Sequence, residues 1–122
     1  MPDAAVYNWP DRPADQPMPK IERRRIIGSQ AMISHVVLEP GCDVPSHTHE
    51  NEQFAIVLSG RARFTIGQPD TPDAHVVEVV GSPEGTVLHL PPNVPHACLA
   101  IERCVILDVF SPPSQTTGID RS

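Results

Sequence analysis

Apolar residues recur in short runs along this chain, and proline, glycine or polar turn residues separate one run from the next. Runs of this kind are typical of β-strands, and no ten-residue window carries the apolar stripe of a helix. Ser59 and Gly60 join two of the runs, which predicts a hairpin. Strands are expected at residues 24–30, 31–38, 53–58, 61–66, 75–80, 86–90, 97–101 and 104–110. Many short strands in a small domain predict an all-β sandwich or barrel.

Proline placement divides the chain into an arm, a β-domain and a tail. Five prolines fall between residues 2 and 19, which excludes a helix or a central strand there. The arm carries Trp9, the only tryptophan, so we expect it to pack across the domain or onto a second subunit. The predicted boundaries are 1–20 for the arm, 21–112 for the domain and 113–122 for the tail.

Length and charge restrict the possible functions. A chain of 122 residues is expected to form one domain around a single core. Its net charge of -6 argues against nucleic-acid binding, which favours basic surfaces. No apolar run approaches the roughly 18 residues that predict a membrane span, and the N-terminus lacks the features of a secretory signal. A cytoplasmic protein without a nucleic-acid or membrane partner is therefore expected.

The cysteines and the clustered arginines do not by themselves indicate a function. Cys42, Cys98 and Cys104 are odd in number and irregular in spacing, which favours reduced thiols over a disulfide framework. The basic run Arg23–Arg25 alternates across a strand, which predicts a solvated strand start. The alternative left open is that one of the three arginines reaches a cavity and holds an anionic substrate.

Two histidines separated by one residue provide the best indication of function. In a β segment, the side chains of His47 and His49 would point to the same face, because side chains alternate with period 2. Gln53 shares that parity, whereas Glu52 does not, and His96 follows a proline-rich turn. These residues predict a metal site on β-strands. Neutral imidazoles suit Zn, Fe, Ni, Mn or Cu, so one divalent transition metal is expected and its identity stays open.

The spacing of these residues resembles two motifs of the cupin superfamily. The first matches Gly41-x5-His47-x-His49-x3-Gln53-x6-Gly60, and the second matches Gly85-x5-Pro91-x-Asn93-x2-His96. Asn93 stands where the second motif usually has glycine, and Gln53 where the first usually has glutamate. The resemblance implies a small jelly-roll barrel over roughly residues 20–112, a metal inside one end, and a homodimer.

The choice of Gln53 over Glu52 affects the expected chemistry. With four neutral ligands, the metal keeps its full divalent charge and remains a strong Lewis acid. This favours isomerase or lyase chemistry on a small polar metabolite such as a carbohydrate derivative or a keto acid. Two alternatives remain: an O2-dependent dioxygenase, and a binding protein without turnover.

The last predicted strand carries a carboxylate in an apolar run. Burying Asp108 requires a partner or a chemical role. The segment Leu107–Pro112 resembles the end of small cupins that linearise unsaturated uronates in pectin and alginate degradation. That likeness implies Asp108 as a general acid/base and Phe110 as a substrate-binding wall. Those cupins continue with an arginine that binds the sugar carboxylate, whereas this chain has Pro113.

Cys98 lies two residues after His96 and is expected to face the same interior. There it would contact the substrate or simply fill space as a small apolar side chain.

Overall fold

Two antiparallel β-sheets lie face to face in the computed structural model, which describes residues 3–114. The bounds of the strands are β1 Ala14–Asp15, β2 Ile21–Ile27, β3 Met32–Leu38, β4 Asp43–His47, β5 Glu52–Ser59, β6 Arg61–Ile66, β7 His75–Val80, β8 Thr86–Leu90, β9 His96–Ala100 and β10 Cys104–Ser111. One sheet has the order β1-β2-β3-β10-β5-β8 and the other the order β4-β9-β6-β7. The predicted all-β architecture is confirmed, and three strands (β6, β7 and β8) have the predicted bounds.

The predicted hairpin at Ser59 and Gly60 is wrong. Strand β5 pairs with β10 and β8, whereas β6 pairs with β7 and β9, so the two strands belong to different sheets. Gly60 has a φ of 85°, and a Cβ on it would lie 2.0 Å from the carbonyl oxygen of Arg103. The glycine therefore makes a tight corner from one sheet to the other instead of a turn between paired strands.

The core fills the space between the sheets with alternate residues of each strand. On β10 the inward positions include Ile106 and Phe110, and on the facing sheet they include Phe64, all less than 5% exposed. Asp108 shares the inward parity of Ile106 and Phe110, so a carboxyl group points between the sheets. This packing leaves a cavity at one end of the barrel.

The N-terminal arm lies along its own barrel. Its 3-10 helix Trp9–Asp11 brings Trp9 to 5.4 Å from the His35 ring, measured between centroids. Arg12 donates through Nε and Nη2 to the carbonyl oxygen of Arg25, and β1 adds to the outer edge of β2. Of the predicted tail, residues 115–122 lie outside the described residues. Between residues 3 and 114, no helix is long and apolar enough to cross a membrane.

Candidate metal centre

Three histidines converge at the open end of the barrel. His47 ends β4 and His96 begins β9, and the two are paired directly across the sheet. Their ring centroids are 4.4 Å apart, and the ring of His49 lies 5.7 Å from that of His47 and 5.0 Å from that of His96. The nitrogen atoms available for ligation all lie within 4.8 Å of one another. The sequence therefore identified residues that the fold brings together.

Strand alternation alone does not bring His49 beside His47. Strand β4 ends at His47, and His49 lies in the loop that leads to β5. A register shift between Val44 and His47 also breaks the simple alternation along β4, since both residues line the cavity. The loop and this bulge, and not one regular strand, bring the two rings to the same side.

Backbone carbonyl groups fix the orientation of all three rings. The Nδ1 atom of His47 lies 2.8 Å from the oxygen of Pro45, that of His49 lies 2.9 Å from the oxygen of Asn51, and that of His96 lies 2.9 Å from the oxygen of Val94. A carbonyl accepts only, so each Nδ1 carries the proton and donates it. The Nε2 atoms of His47 and His96 therefore keep a free lone pair, which is the arrangement that metal-binding histidines use. The Nε2 atom of His49 faces the amide oxygen of Gln53.

Burial also keeps two of these imidazoles neutral. Loss of solvation lowers the pKa of His96 to about 4, and it lowers the pKa of His47 below the usual value. A neutral ring is the form that binds a metal, so little proton competition is expected near pH 7.

Gln53 joins the histidine cluster to Asp108. Its Oε1 lies 3.1 Å from Nε2 of His49, and its Nε2 donates to Oδ1 of Asp108 over 2.9 Å. The carboxylate can only accept from the amide nitrogen, so the amide oxygen turns toward the histidines. Glu52 points to the opposite face and contacts His89 at 2.7 Å, as its strand parity predicted.

Among the residues that line the cavity, Asp108 is the one with a carboxyl group, and its side chain is half-buried. This burial raises the pKa of Asp108 to about 6, and the hydrogen bond from Gln53 opposes the shift. A divalent cation next to it would lower that pKa again.

A narrow cavity extends from the histidines into the core. Phe110 is 4% exposed and forms one wall, and its ring meets that of His49 edge-on at 5.8 Å. Cys98 lines the same cavity, where burial raises the pKa of its thiol. A thiol with a raised pKa stays protonated and unreactive, which favours a packing role. The remaining walls are mostly aliphatic and come from Ile21, Val36, Leu38, Val44 and Ile106, together with Phe64.

Two asparagines support the site without having been predicted to do so. Asn51 is 3% exposed and donates from its side chain to the carbonyl oxygen of Pro112, which ties the His49 loop to the end of β10. The backbone N–H of Asn93 donates to the oxygen of His49 over 2.9 Å. Asn93 has a φ of 65°, a conformation that asparagine tolerates better than most residues, which explains how it replaces the usual glycine.

The prediction of a solvated start for the basic strand is wrong for Arg23. This side chain is only 3% exposed and bonds to Asp15 of the arm at 2.7 Å. Local sequence does not indicate this partner, because Asp15 lies on β1, which comes beside β2 only in the folded chain.

The donor set fits a divalent transition metal. Three histidines lie with their ligand nitrogens within 4.8 Å of one another, and the amide oxygen of Gln53 lies 3.1 Å from Nε2 of His49. Imidazole and amide ligands are compatible with several first-row ions. The assignment of His47, His49, His96 and Gln53 as ligands remains a proposal.

Comparison with known proteins is consistent with this architecture. The model of the cupin domain family matches residues 34–110. An RmlC-like cupin from Shewanella frigidimarina is similar in structure, with 16% identity, a TM-score of 0.78, and coverage of 93% of this chain and 95% of that one. KdgF from Halomonas sp. has 20% identity and a TM-score of 0.76, with coverage of 93% and 97%.

Oxalate decarboxylase from Lactobacillus farciminis is also similar, at 20% identity and a TM-score of 0.73. The match covers 92% of this chain but 35% of the decarboxylase, so this chain spans about a third of that protein. Identities this low establish the fold alone. No curated protein sequence is significantly similar to this chain. The family match covers more than half of the residues, and the chain belongs to the cupin domain family.

Proposed function

We propose that this protein binds one divalent transition metal through His47, His49, His96 and Gln53, and that it converts a small polar metabolite in the adjoining cavity. The observation that carries the proposal is the convergence of three imidazoles, each with its Nδ1 held by a carbonyl group. Zn, Fe, Ni, Mn and Cu all suit this ligand set. When bound, the metal would supply Lewis-acid polarisation of a substrate oxygen.

The residues around the metal position have separate roles in this proposal. Asp108 takes or gives a proton at a substrate carbon or oxygen, because it is the carboxyl group that lines the cavity. Phe110 and the aliphatic walls exclude water from that step. Cys98 contacts the substrate as a small apolar surface. An isomerase or lyase reaction requires only such proton transfer beside a polarised oxygen.

One similar structure and one sequence resemblance indicate which substrates to test first. Oxalate decarboxylase has been solved with formate, and the segment with Asp108 and Phe110 resembles the end of cupins that linearise unsaturated uronates. Oxalate and unsaturated uronates are therefore suitable first substrates, together with keto acids.

Turnover with and without oxygen tests the proposed reaction class. The chain, loaded separately with each of the five metals, would be incubated with these substrates in air and under anaerobic conditions, with products followed by NMR. We expect product at equal rates in both atmospheres. Strict dependence on O2 would identify a dioxygenase instead. Tight binding of a substrate without any product would indicate a binding protein.

The proposal also includes a cytoplasmic homodimer. The outer face of the larger sheet leaves apolar side chains exposed, among them Phe54 at 37% and Val87 at 56%. A second copy would cover this face, and the family resemblance supports the same assembly. Cys42, Cys98 and Cys104 are buried free thiols, which suits a reducing compartment.

A further inference from the structure

The cavity beside the histidines changes from polar to apolar along β9. His96 begins this strand at the histidine cluster, and Cys98 follows two residues later, about 7 Å further along. Cys98 pairs with Val44 on β4 and with Phe64 on β6, and all three side chains line the cavity. Val44 and Phe64 are each 4% exposed. Beyond the histidines, this wall therefore consists of carbon atoms and a thiol.

The opposite wall changes in the same way along β10. Asp108 accepts a hydrogen bond from Gln53, and Ile106 lies two residues earlier on the same face of the strand. Ile106 pairs with Val36 on β3, and both side chains are 3% exposed. The other aliphatic side chains that line the cavity are Ile21 and Leu38. The cavity therefore has a polar end at the histidines, Gln53 and Asp108, and an apolar end beyond them.

The apolar end suits an alkyl group better than a sugar ring. A sugar hydroxyl there would lose its bonds to water without gaining a partner among the aliphatic side chains, which is costly. An alkyl group gains from leaving water. Among residues 3–114, no arginine or lysine lines this cavity. Arg23, one of the arginines considered for holding an anionic substrate, bonds to Asp15 instead.

We propose that the substrate is a short aliphatic oxo acid and not a sugar derivative. This inference rests on the proposed function, because it selects one of the substrate classes for the same site. The oxygens of the oxo acid belong at the polar end, and its alkyl chain fills the apolar end. The cavity has a volume of about 50 Å³. A buried water molecule needs roughly 10–15 Å³, so the cavity accepts an alkyl chain of roughly four carbons.

Ligand-observed NMR titration tests the proposal on the Zn²⁺-loaded and on the chelator-treated chain. The probes are pyruvate, 2-oxobutanoate, 2-oxopentanoate, 2-oxohexanoate and 2-oxoheptanoate. We expect the affinity to rise about fourfold with each added methylene as far as 2-oxohexanoate, because each one buries further apolar surface. 2-Oxoglutarate is similar in length to 2-oxohexanoate but ends in a second carboxylate. It should bind at least about tenfold more weakly than 2-oxohexanoate, and so should glucuronate.

A substitution at the apolar end tests whether this end holds the chain. Ile106→Val removes one methylene from the wall and should move the tightest-binding probe from 2-oxohexanoate to 2-oxoheptanoate. Ile33→Val is the matched control, because Ile33 is 38% exposed on β3 of the same sheet and does not line the cavity. The tightest-binding probe should stay the same in this variant. Circular dichroism checks the folding of both.

Three results would overturn the proposal. The first is that no probe binds up to roughly 50 mM, or that affinity does not rise with chain length. The second is that glucuronate or 2-oxoglutarate binds as tightly as 2-oxohexanoate. The third is that both variants change the chain-length preference equally. Failure of the proposed function is distinguishable from these: no metal would bind or no product would form, while the chelator-treated chain would still prefer longer alkyl chains.

Discussion

At the scale of single residues, the contact between Gln53 and Asp108 connects a proposed metal ligand to the proposed acid/base. The carboxylate of Asp108 accepts from the amide nitrogen, which directs the amide oxygen of Gln53 toward His49. Asp108 therefore has two separable tasks: it orients a proposed ligand, and it is the proposed acid/base. An asparagine can still accept the hydrogen bond from Gln53, but it cannot transfer a proton in the same way.

Two substitutions of Asp108 separate these tasks. Asp108→Asn should keep one metal per chain and lose about 100-fold or more in turnover, because acid/base catalysis typically contributes this much. Asp108→Ala should lose turnover and also bind metal about 10–100-fold more weakly, since the orientation of Gln53 is lost. Metal affinity and initial rates are the measurements. Full activity of Asp108→Asn would exclude the proton-transfer role.

The sequence pattern anticipates which side chains converge where the residue type itself is informative. His47, His49 and His96 are visible as histidines at a known spacing, and strand parity distinguishes Gln53 from Glu52. The carbonyl groups that orient the rings cannot be predicted from sequence. Every residue has one, and only the fold determines which of them accept a hydrogen bond from a histidine. Burial of Arg23 was unpredictable for the same reason, since its partner belongs to another segment.

At the scale of elements, the corner at Gly60 determines where the chain leaves one sheet for the other. Strand existence could be predicted from local alternation, but pairing depends on partners far along the chain. Strand β5 has β10 and β8 on its two sides, which leaves no edge for β6. A glycine between two apolar runs is therefore compatible with both a hairpin and a corner.

Gly60→Ala should destabilise the protein by at least about 2 kcal/mol, because the positive φ and the contact with the Arg103 carbonyl both oppose a Cβ. Gly28→Ala is the control: a Cβ there would meet only the Ala31 oxygen, at 3.1 Å, and its φ is not positive. Urea unfolding gives both values. An equal loss of unfolding free energy in the two variants would show that the corner does not require glycine.

The contact between the arm and β3 should make stability depend on pH. Burial, followed by the positive charge of Arg24, lowers the pKa of His35 below its ordinary 6.5, and Glu22 opposes the shift. Below pH 6.5 the unfolded chain therefore binds a proton that the folded chain resists, and stability falls as the pH falls.

His35→Gln should reduce this loss of stability between about pH 7.5 and 5.5. Part of the loss will remain in the metal-free chain, because His47 and His96 also cause it. Trp9→Ala should reduce it as well, since it uncovers the His35 ring. Urea unfolding at several pH values provides the test. An unchanged pH dependence in both variants would contradict this account.

At the scale of the whole molecule, the exposed apolar face of the larger sheet indicates how two copies would meet. The all-β class and the barrel were predictable, because turn residues separate the short strands along the chain. The surface that remains apolar after folding could not be predicted. Each strand has two faces, and sequence alone does not show which face is covered.

Val87→Glu should convert the proposed homodimer to a monomer in light-scattering measurements, because a charge would enter the apolar contact. Val76→Glu is the matched control: Val76 is 59% exposed on the smaller sheet, against 56% for Val87 on the larger. The proposed interface would be wrong if the unaltered chain is a monomer, or if both substitutions change the oligomeric state equally.

We propose that His47, His49, His96 and Gln53 hold one metal ion. Elemental analysis measures this occupancy in the purified chain, in His47→Ala and in His96→Ala, each dialysed against a metal mixture. His75→Ala serves as control, because His75 lies at the start of β7, outside the histidine cluster. We expect close to one bound metal per chain in the unaltered protein and in His75→Ala, and little or none in the other two. Metal-free protein, or equal metal content in all four, would contradict it.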